Sequence, residues 1–419
     1  MSRIGTLRRA AAGFLMLIAV PALAAPQKPV LDAAEAERPA YLETLKALVS
    51  IESGSRDSEG LATIAALIAE RLKALGGEVE LVASADASRS PGKTVLARFK
   101  GTGTRKVLLL AHMDTVYSKG MLAQQPFRIE GDKAYGLGIA DDKHGVALIL
   151  HTVALLNKIA ARDYGTLTVL INGDEEIGSS GSRALITRTA ADQDAVFSCE
   201  GSTVGQDALR LATSGIASVQ LKVTGRASHA GSSPEQGRNA LYELAHQILQ
   251  MRDLSKPELG LKLNWTIASA GSVSNAIPAE AKAQADVRAL RMADFDLIEA
   301  AVKERIGNKL IPDTVVEATL TRGRPPLAPT EAAKALGAHA KRVFGEIDRQ
   351  LTVTERATGG GTDAAYAALE AKGPVIEGFG LRGFGAHSNQ NEYVALDSIV
   401  PRLYLLARMI TDVSRGQAK

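Results

Sequence analysis

Acidic and histidine side chains collect at a few places in this chain, and most of those places follow a short apolar run. His112 and Asp114 flank Met113 directly after Lys106–Ala111 (KVLLLA). Spacing by two puts both side chains on one side of an extended chain. His112 is therefore a candidate metal ligand, and Asp114 a carboxylate placed to orient its imidazole. Asp141 and Asp142 stand in the glycine-bracketed stretch Gly136–Gly145 (GLGIADDKHG). An aspartate before a helix is also a natural N-cap, which explains one of these two acids and not both. Asp174, Glu175 and Glu176 follow TVLIN, Glu200 follows AVFSC, and His387 sits in the late loop Gly385–Asn389 (GAHSN). Three adjacent carboxylates repel one another unless water or cations meet them. His112, Asp141, Glu176, Glu200 and His387 together offer two imidazoles and three carboxylates, a mixed N/O set suited to zinc and open to other divalent metals. One bridging carboxylate with two further ligands per ion holds two metals and leaves a position for water, whose pKa falls to about 7 on binding. Glu175, not needed as a ligand, is the candidate general base.

The elements that must position these groups are legible from periodicity. KVLLLA, Leu167–Ile171 and Ala195–Cys199 are continuous apolar runs, the mark of parallel strands buried on both faces. His144–Ala160 and Ser182–Ala191 between them carry helical spacing, as do Ala40–Ile51 and Leu61–Leu75 before them. Strand alternating with helix is the grammar of an α/β sheet, where ligands gather beyond the carboxyl ends of the strands. Beyond Gly215 the pattern changes. Ile216–Thr224 alternates apolar and polar, Ala240–Leu254 is amphipathic, Asn264–Ala270 and Ala281–Leu290 read as strands, Phe295–Ile306 as a helix and Val315–Thr321 as a strand. That β-α-β-β-α-β order predicts a ferredoxin-like domain inserted into a discontinuous α/β domain. The boundaries expected are 1–25 for a signal segment, 26–213 and 326–419 for the two parts of the catalytic domain, and 214–325 for the insertion. Arg324–Pro329 (RPPLAP) reads as a stiff linker, Ala332–Phe344 as a helix, Pro374–Glu377 as a strand, and Tyr393 onward as a long closing helix. His151, His246 and His339 fall inside helical patterns and are expected to serve structure.

The N-terminal segment has the form of an export signal: Arg3, Arg8 and Arg9, then the apolar Ala10–Val20, then Ala22-Leu23-Ala24. The apolar stretch is short for a membrane span, so no stable anchor is expected after cleavage. The destination is the periplasm in a cell with two membranes and the medium otherwise. The segment carries three Arg and no acids, so its removal brings Lys+Arg down from 49 to the 46 of Asp+Glu. The excess of basic charge belongs to the signal and gives no footprint for nucleic acid, and an aromatic content of 4% gives no stacking platform. Cys199 is the only cysteine, which excludes an intramolecular disulfide; it follows Ala195-Val196-Phe197 and reads as a buried strand-end residue.

With these residues in view the sequence resembles the zinc aminoacylase/carboxypeptidase superfamily, and most of all its bacterial glutamate carboxypeptidase (carboxypeptidase G, folate-hydrolysing) branch. The resemblance rests on Leu110–Tyr117 (LAHMDTVY), Tyr135–Gly145 (YGLGIADDKHG), Asn172–Gly178 (NGDEEIG), Glu200, Ala227–Gly231 (ASHAG), Ser274–Ala279 (SNAIPA), Thr321–Pro325 (TRGRP) and Gly359–Tyr366 (GGGTDAAY). It implies a zinc-exopeptidase-like catalytic domain with a mixed, mainly parallel sheet, the inserted domain acting as lid and dimer contact of a homodimer. It implies two Zn2+ per chain: Asp141 bridging, His112 and Glu200 completing one site, Glu176 and His387 the other, Glu175 as proton shuttle and Asp114 steadying His112. It further implies a cis peptide between Asp141 and Asp142, and a role for His229 in stabilising the developing oxyanion, its equivalent in relatives sometimes arriving from the partner subunit. Asn275, Arg288 and Arg324 would hold substrate carboxylates, and the glycine run at Gly360 would offer backbone N–H groups to the same group. His144 stands where many relatives carry glycine, which leaves open whether it alters the metal surroundings or caps the helix. The expected reaction is release of a C-terminal amino acid, glutamate first, from N-acyl or peptidyl substrates including folate-type ones. An N-acyl amino-acid deacylase or dipeptidase of other specificity shares the same ligands, and a non-catalytic exported zinc- or ligand-binding protein is the alternative outside the enzymes.

Overall fold

In the computed structural model residues 25–388 and 390–418 are described. The signal-like segment 1–25 lies, but for Ala25, outside them. No helix of the described residues is long and apolar enough to cross a membrane.

The central sheet has eight strands in the order 78–82, 94–100, 166–172, 106–112, 195–198, 375–377, 208–210 and 352–354. Its middle is parallel: Lys106–His112 pairs with Thr166–Asn172 on one side and Ala195–Ser198 on the other, and Val375–Glu377 continues from there. The apolar runs are continuous because both faces are covered. Val107, Leu109, Val169 and Ile171 pack under the helices Lys28–Val49, His144–Lys158 and Ile399–Ser414. Leu108, Leu110, Leu170 and Val196 pack against Ile186, Ala190 and Ala364–Ala367 on the other face.

The insertion forms a separate antiparallel sheet with its own core. Its strands are Gly215–Thr224, Lys262–Ala270, Glu280–Ala289 and Val315–Arg322, in the spatial order second, third, first, fourth. Helices Ala240–Gln250 and Met292–Arg305 cover the face that carries Val219, Leu221, Ala285 and Val287. This is the βαββαβ arrangement expected.

Several expectations change. The first helix begins at Lys28 and runs through Pro39, because Val30, Ala33 and Ala34 already turn inward with Tyr41 and Leu45. Arg324–Pro329 is no free linker: Leu327 is buried and its backbone bonds with Thr213. The chain from Tyr393 starts as a strand, Tyr393–Ala395, and the helix begins only at Ile399 and is buried along nearly its whole length. That strand belongs to a third sheet, not foreseen, which joins residues 128–130, 133–135, 393–395, 382–384 and 202–203. Of the helical histidines, His151 bonds with Glu37 and Thr44, His339 with Asp412 and His246 with the Asn308 carbonyl. Cys199 is buried, as expected.

Candidate metal centre and cleft

Three adjacent parallel strands end side by side, and their ends deliver most of the centre. His112 is the last residue of its strand, Glu200 lies just past Ala195–Ser198, and Glu175–Ile177 form a 3-10 turn after Thr166–Asn172. Asp141 comes from the irregular turn that feeds the helix His144–Lys158, and the peptide to Asp142 is cis. His387 comes from the loop after Arg382–Phe384, with its backbone in the left-handed region at φ 65°.

These five side chains form two groups that share Asp141, with the ligand atoms of each group within 4.8 Å of one another. His112 Nε2 lies 2.9 Å from Asp141 Oδ1 and 3.4 Å from Glu200 Oε1. His387 Nε2 lies 3.3 Å from Asp141 Oδ2 and 3.0 Å from Glu176 Oε2. The two oxygens of one carboxylate thus face opposite groups, each made of one imidazole and one glutamate. The donor chemistry fits a pair of divalent ions with a bridging carboxylate. Without metal the imidazoles take protons instead. Burial opposes a charge on His112, but Asp114, Asp141 and Glu200 hold its pKa well above the ordinary value. Asp141 and Glu176 lift His387 to about 10. Metal uptake at such a centre must release protons.

Around this cluster the carboxylates divide their tasks. Asp114 is fully buried; its Oδ1 accepts the Glu175 N–H at 3.0 Å, and its Oδ2 accepts the Glu176 N–H at 3.1 Å and the Ser55 hydroxyl at 2.7 Å. It also lies 3.3 Å from His112 Nδ1, so one residue steadies the imidazole and the Glu175–Glu176 turn together. Asp174 is not part of the cluster. It accepts the Gly181 N–H and the Ser182 hydroxyl at 2.7 and 2.5 Å, which resolves the expected crowding of three acids. His144 is buried behind the site with Nδ1 3.1 Å from Asp142 Oδ1, without hydrogen-bond alignment, and takes no part in either ligand group.

A cleft of about 610 Å³ opens over the cluster, lined by Asp141, Glu175, Glu176, Glu200 and His387 on one side and by Arg288, Arg324 and Gly360 on the other. Arg324 is buried and its guanidinium pairs with the Glu175 carboxylate; it also donates to the Gly361 carbonyl at 2.9 Å and lies 3.8 Å from Asp363. Burial drives the Glu175 pKa up, and Arg324 opposes that rise. Asp363, which sequence reasoning passed over, accepts hydrogen bonds from Asn172 and Ser179 beneath the arginine. Its position in the GGGTDAAY motif was the available signal. Arg288 bonds with Asp286 at 2.9 Å and with the Gly359 carbonyl at 3.0 Å. His229 and Asn275 are exposed and adjacent to each other, on neighbouring loops of the insertion joined by a 2.8 Å bond from the Ala230 N–H to the Asn275 carbonyl. They are not among the residues lining this cleft.

The geometry agrees with comparisons to known proteins. Carboxypeptidase G2 of Pseudomonas sp. (strain RS-16) is 49% identical over 401 residues, 96% of either chain. Among solved structures, aminopeptidase PepT from Bacillus cereus superposes with a TM-score of 0.76 at 21% identity, covering 90% of this chain and 98% of its own. The M20 family metallo-carboxypeptidase Sso-CP2 from Sulfolobus solfataricus gives 0.70 at 18%, covering 90% and 99%. These two likenesses establish the shared fold. Residues 108–412 match the model of peptidase family M20/M25/M40, and the chain belongs to that family.

Proposed function

We propose that this protein is a two-zinc metallocarboxypeptidase that releases a C-terminal amino acid, glutamate foremost, from N-acyl or peptidyl substrates including folate-type ones, and that it works as an exported homodimer. The observation that carries the reading is Asp141 presenting one oxygen to His112 and Glu200 and the other to His387 and Glu176, in a cleft that also holds an acid and two arginines. The identity to carboxypeptidase G2 supports the substrate class.

Bound at this centre, two divalent ions supply Lewis acidity to the scissile carbonyl and lower the pKa of water to about 7. The chain's own residues do the rest. Arg324 and Arg288 attract the substrate carboxylate, and the backbone at Gly360 flanks it. Because Arg324 pairs with Glu175 in the open cleft, an incoming carboxylate competes for the same guanidinium and loosens its hold on the base. Glu175 then takes the proton of the attacking water and delivers it to the leaving amine nitrogen. His229 accepts the Gly231 and Ser232 N–H groups at Nδ1, each at 3.1 Å, which puts its own proton on Nε2. From the partner subunit that Nε2–H would donate to the developing oxyanion, and Asn275 beside it would contact the substrate carboxylate.

The test is a panel of N-acylated amino acids, folates and peptides ending in Glu, Asp or a neutral residue. Glutamate-terminated substrates are expected to lead neutral ones in kcat/KM by roughly 10²-fold or more, since a site built to pair a polar group of the substrate can reject one that lacks it by as much as roughly 10⁴- to 10⁵-fold. Equal rates across the panel would remove the glutamate assignment. Absence of hydrolysis throughout, with metal bound, would favour a binding protein.

A further inference from the structure

Glu392 has no part in the chemistry above and was not singled out by its sequence context, yet it sits where the ligand-bearing segments meet. Its side chain is 1% exposed. Oε1 accepts the Ala140 N–H at 2.7 Å and Oε2 accepts the Gly138 N–H at 2.9 Å, so one carboxylate spans the turn that ends at Asp141. Oε2 also accepts the Tyr117 hydroxyl at 2.5 Å, which ties in the segment that carries His112 and Asp114. Glu392 itself closes the loop that carries His387. Strands Arg382–Phe384 and Tyr393–Ala395 pair across that loop. Its first residue, Gly385, has φ 77° and packs so closely that an added Cβ would stand 2.7 Å from the Asn391 carbonyl oxygen. Gly138, at the other end of the contact, also has positive φ, 70°.

We infer that Glu392, with Tyr117, is a positioning residue that fixes Asp141 relative to both His112 and His387 and thereby sets the affinity and geometry of the metal pair. A buried carboxylate that accepts two backbone N–H groups and a hydroxyl fills three of its roughly four acceptor sites and is held from three directions, so it transmits little slack to the turn it holds. Glutamine cannot take its place. Its single oxygen serves one of the two N–H groups, and its NH2 would face the other, donor against donor.

The inference rests on His112, Asp141, Glu176, Glu200 and His387 being the metal ligands. The experiment titrates chelator-stripped protein with Co2+ in competition with a chromophoric chelator and records the visible spectrum of the bound ion. Glu392→Gln is expected to weaken binding by roughly 10- to 100-fold, the usual cost of losing an outer partner of a metal ligand, and to change the spectrum per bound Co2+. Tyr117→Phe, which removes one hydroxyl and keeps the ring, is expected to do the same to a smaller degree and serves if Glu392→Gln does not fold. Wild-type affinity and an unchanged cobalt spectrum in the folded variants would overturn the role, including where the melting temperature of the stripped protein falls. Failure of the wild-type chain to bind Co2+ would instead overturn the ligand assignment itself.

Discussion

The two regions that the proposed reaction brings together at the substrate are built in opposite ways. The metal centre draws on strand ends, turns and one hairpin loop of a single domain, and its supporting groups are buried: His112, Asp114 and Glu392 are each at most 1% exposed. The loops of the insertion that carry His229 and Asn275 are exposed and bonded to each other, and neither residue lines the cleft. A cluster of like charges needs a rigid frame to hold it before a cation arrives. Groups that contact only the bound substrate can sit on a part that approaches later, which is the logic of a lid. The difference predicts that changes in the first region alter metal content and chemistry, whereas changes in the second alter substrate handling and depend on the partner subunit.

The largest effect tests the division inside the centre itself. Glu175→Ala should lower kcat by roughly 10²- to 10⁴-fold while the chain still binds two metal ions, measured by elemental analysis. Retained turnover, or loss of metal in proportion to activity, would break the separation of base from ligands. A middle-sized effect tests the reach between subunits. Glu175→Ala and His229→Ala proteins, each weak alone, should regain activity when mixed and allowed to exchange subunits, because one of the sites in the hybrid then combines an intact Glu175 with an intact His229 from the other chain. Strictly additive activity would place His229 in the site of its own chain.

The smallest effect concerns charge stored beneath the centre. Glu377 is fully buried, accepts the Thr362 hydroxyl at 2.9 Å and lies 3.6 Å from Arg210. Burial first, then the negative charge of Glu200, raises it from 4.5 to about 7. Between those values the folded chain keeps a proton that the unfolded chain has lost, so stability falls as pH rises through that window. The stripped protein should lose roughly 2 to 3 kcal/mol between about pH 4.5 and about pH 7 from this group, and Glu377→Gln should flatten the slope in urea unfolding. An unchanged slope would show that Arg210 neutralises Glu377 throughout.

The layout of the metal region was legible because its physics is local. A strand buried on both faces has to be a continuous apolar run, and polar residues just past its end face the crevice, so the order of residues after KVLLLA, TVLIN and AVFSC pointed to His112, Glu175–Glu176 and Glu200. The third sheet was not legible. Its strands are two or three residues long, too short for alternation to show, and the two short hairpins in it are joined into one sheet only by the distant pairing of 133–135 with 393–395. The contact between Glu175 and Arg324 was hidden for the same reason, since 149 positions separate its partners and neither announces the other. The first helix is longer than the apolar spacing from Ala40 predicts, because inward-facing Val30, Ala33 and Ala34 start it at Lys28 and carry it through Pro39. The family expected from the motifs is the family found.

The left-handed backbone of His387 bears on which replacements the centre would tolerate. An L-residue held at positive φ keeps its shape only if its side chain is unbranched at Cβ, with asparagine and aspartate the most at ease. Aspartate could therefore inherit both the turn and a coordinating oxygen, at the cost of a different ion preference. Threonine or valine would push the loop open before any question of coordination arose. Backbone shape filters the alternatives at this position ahead of chemistry.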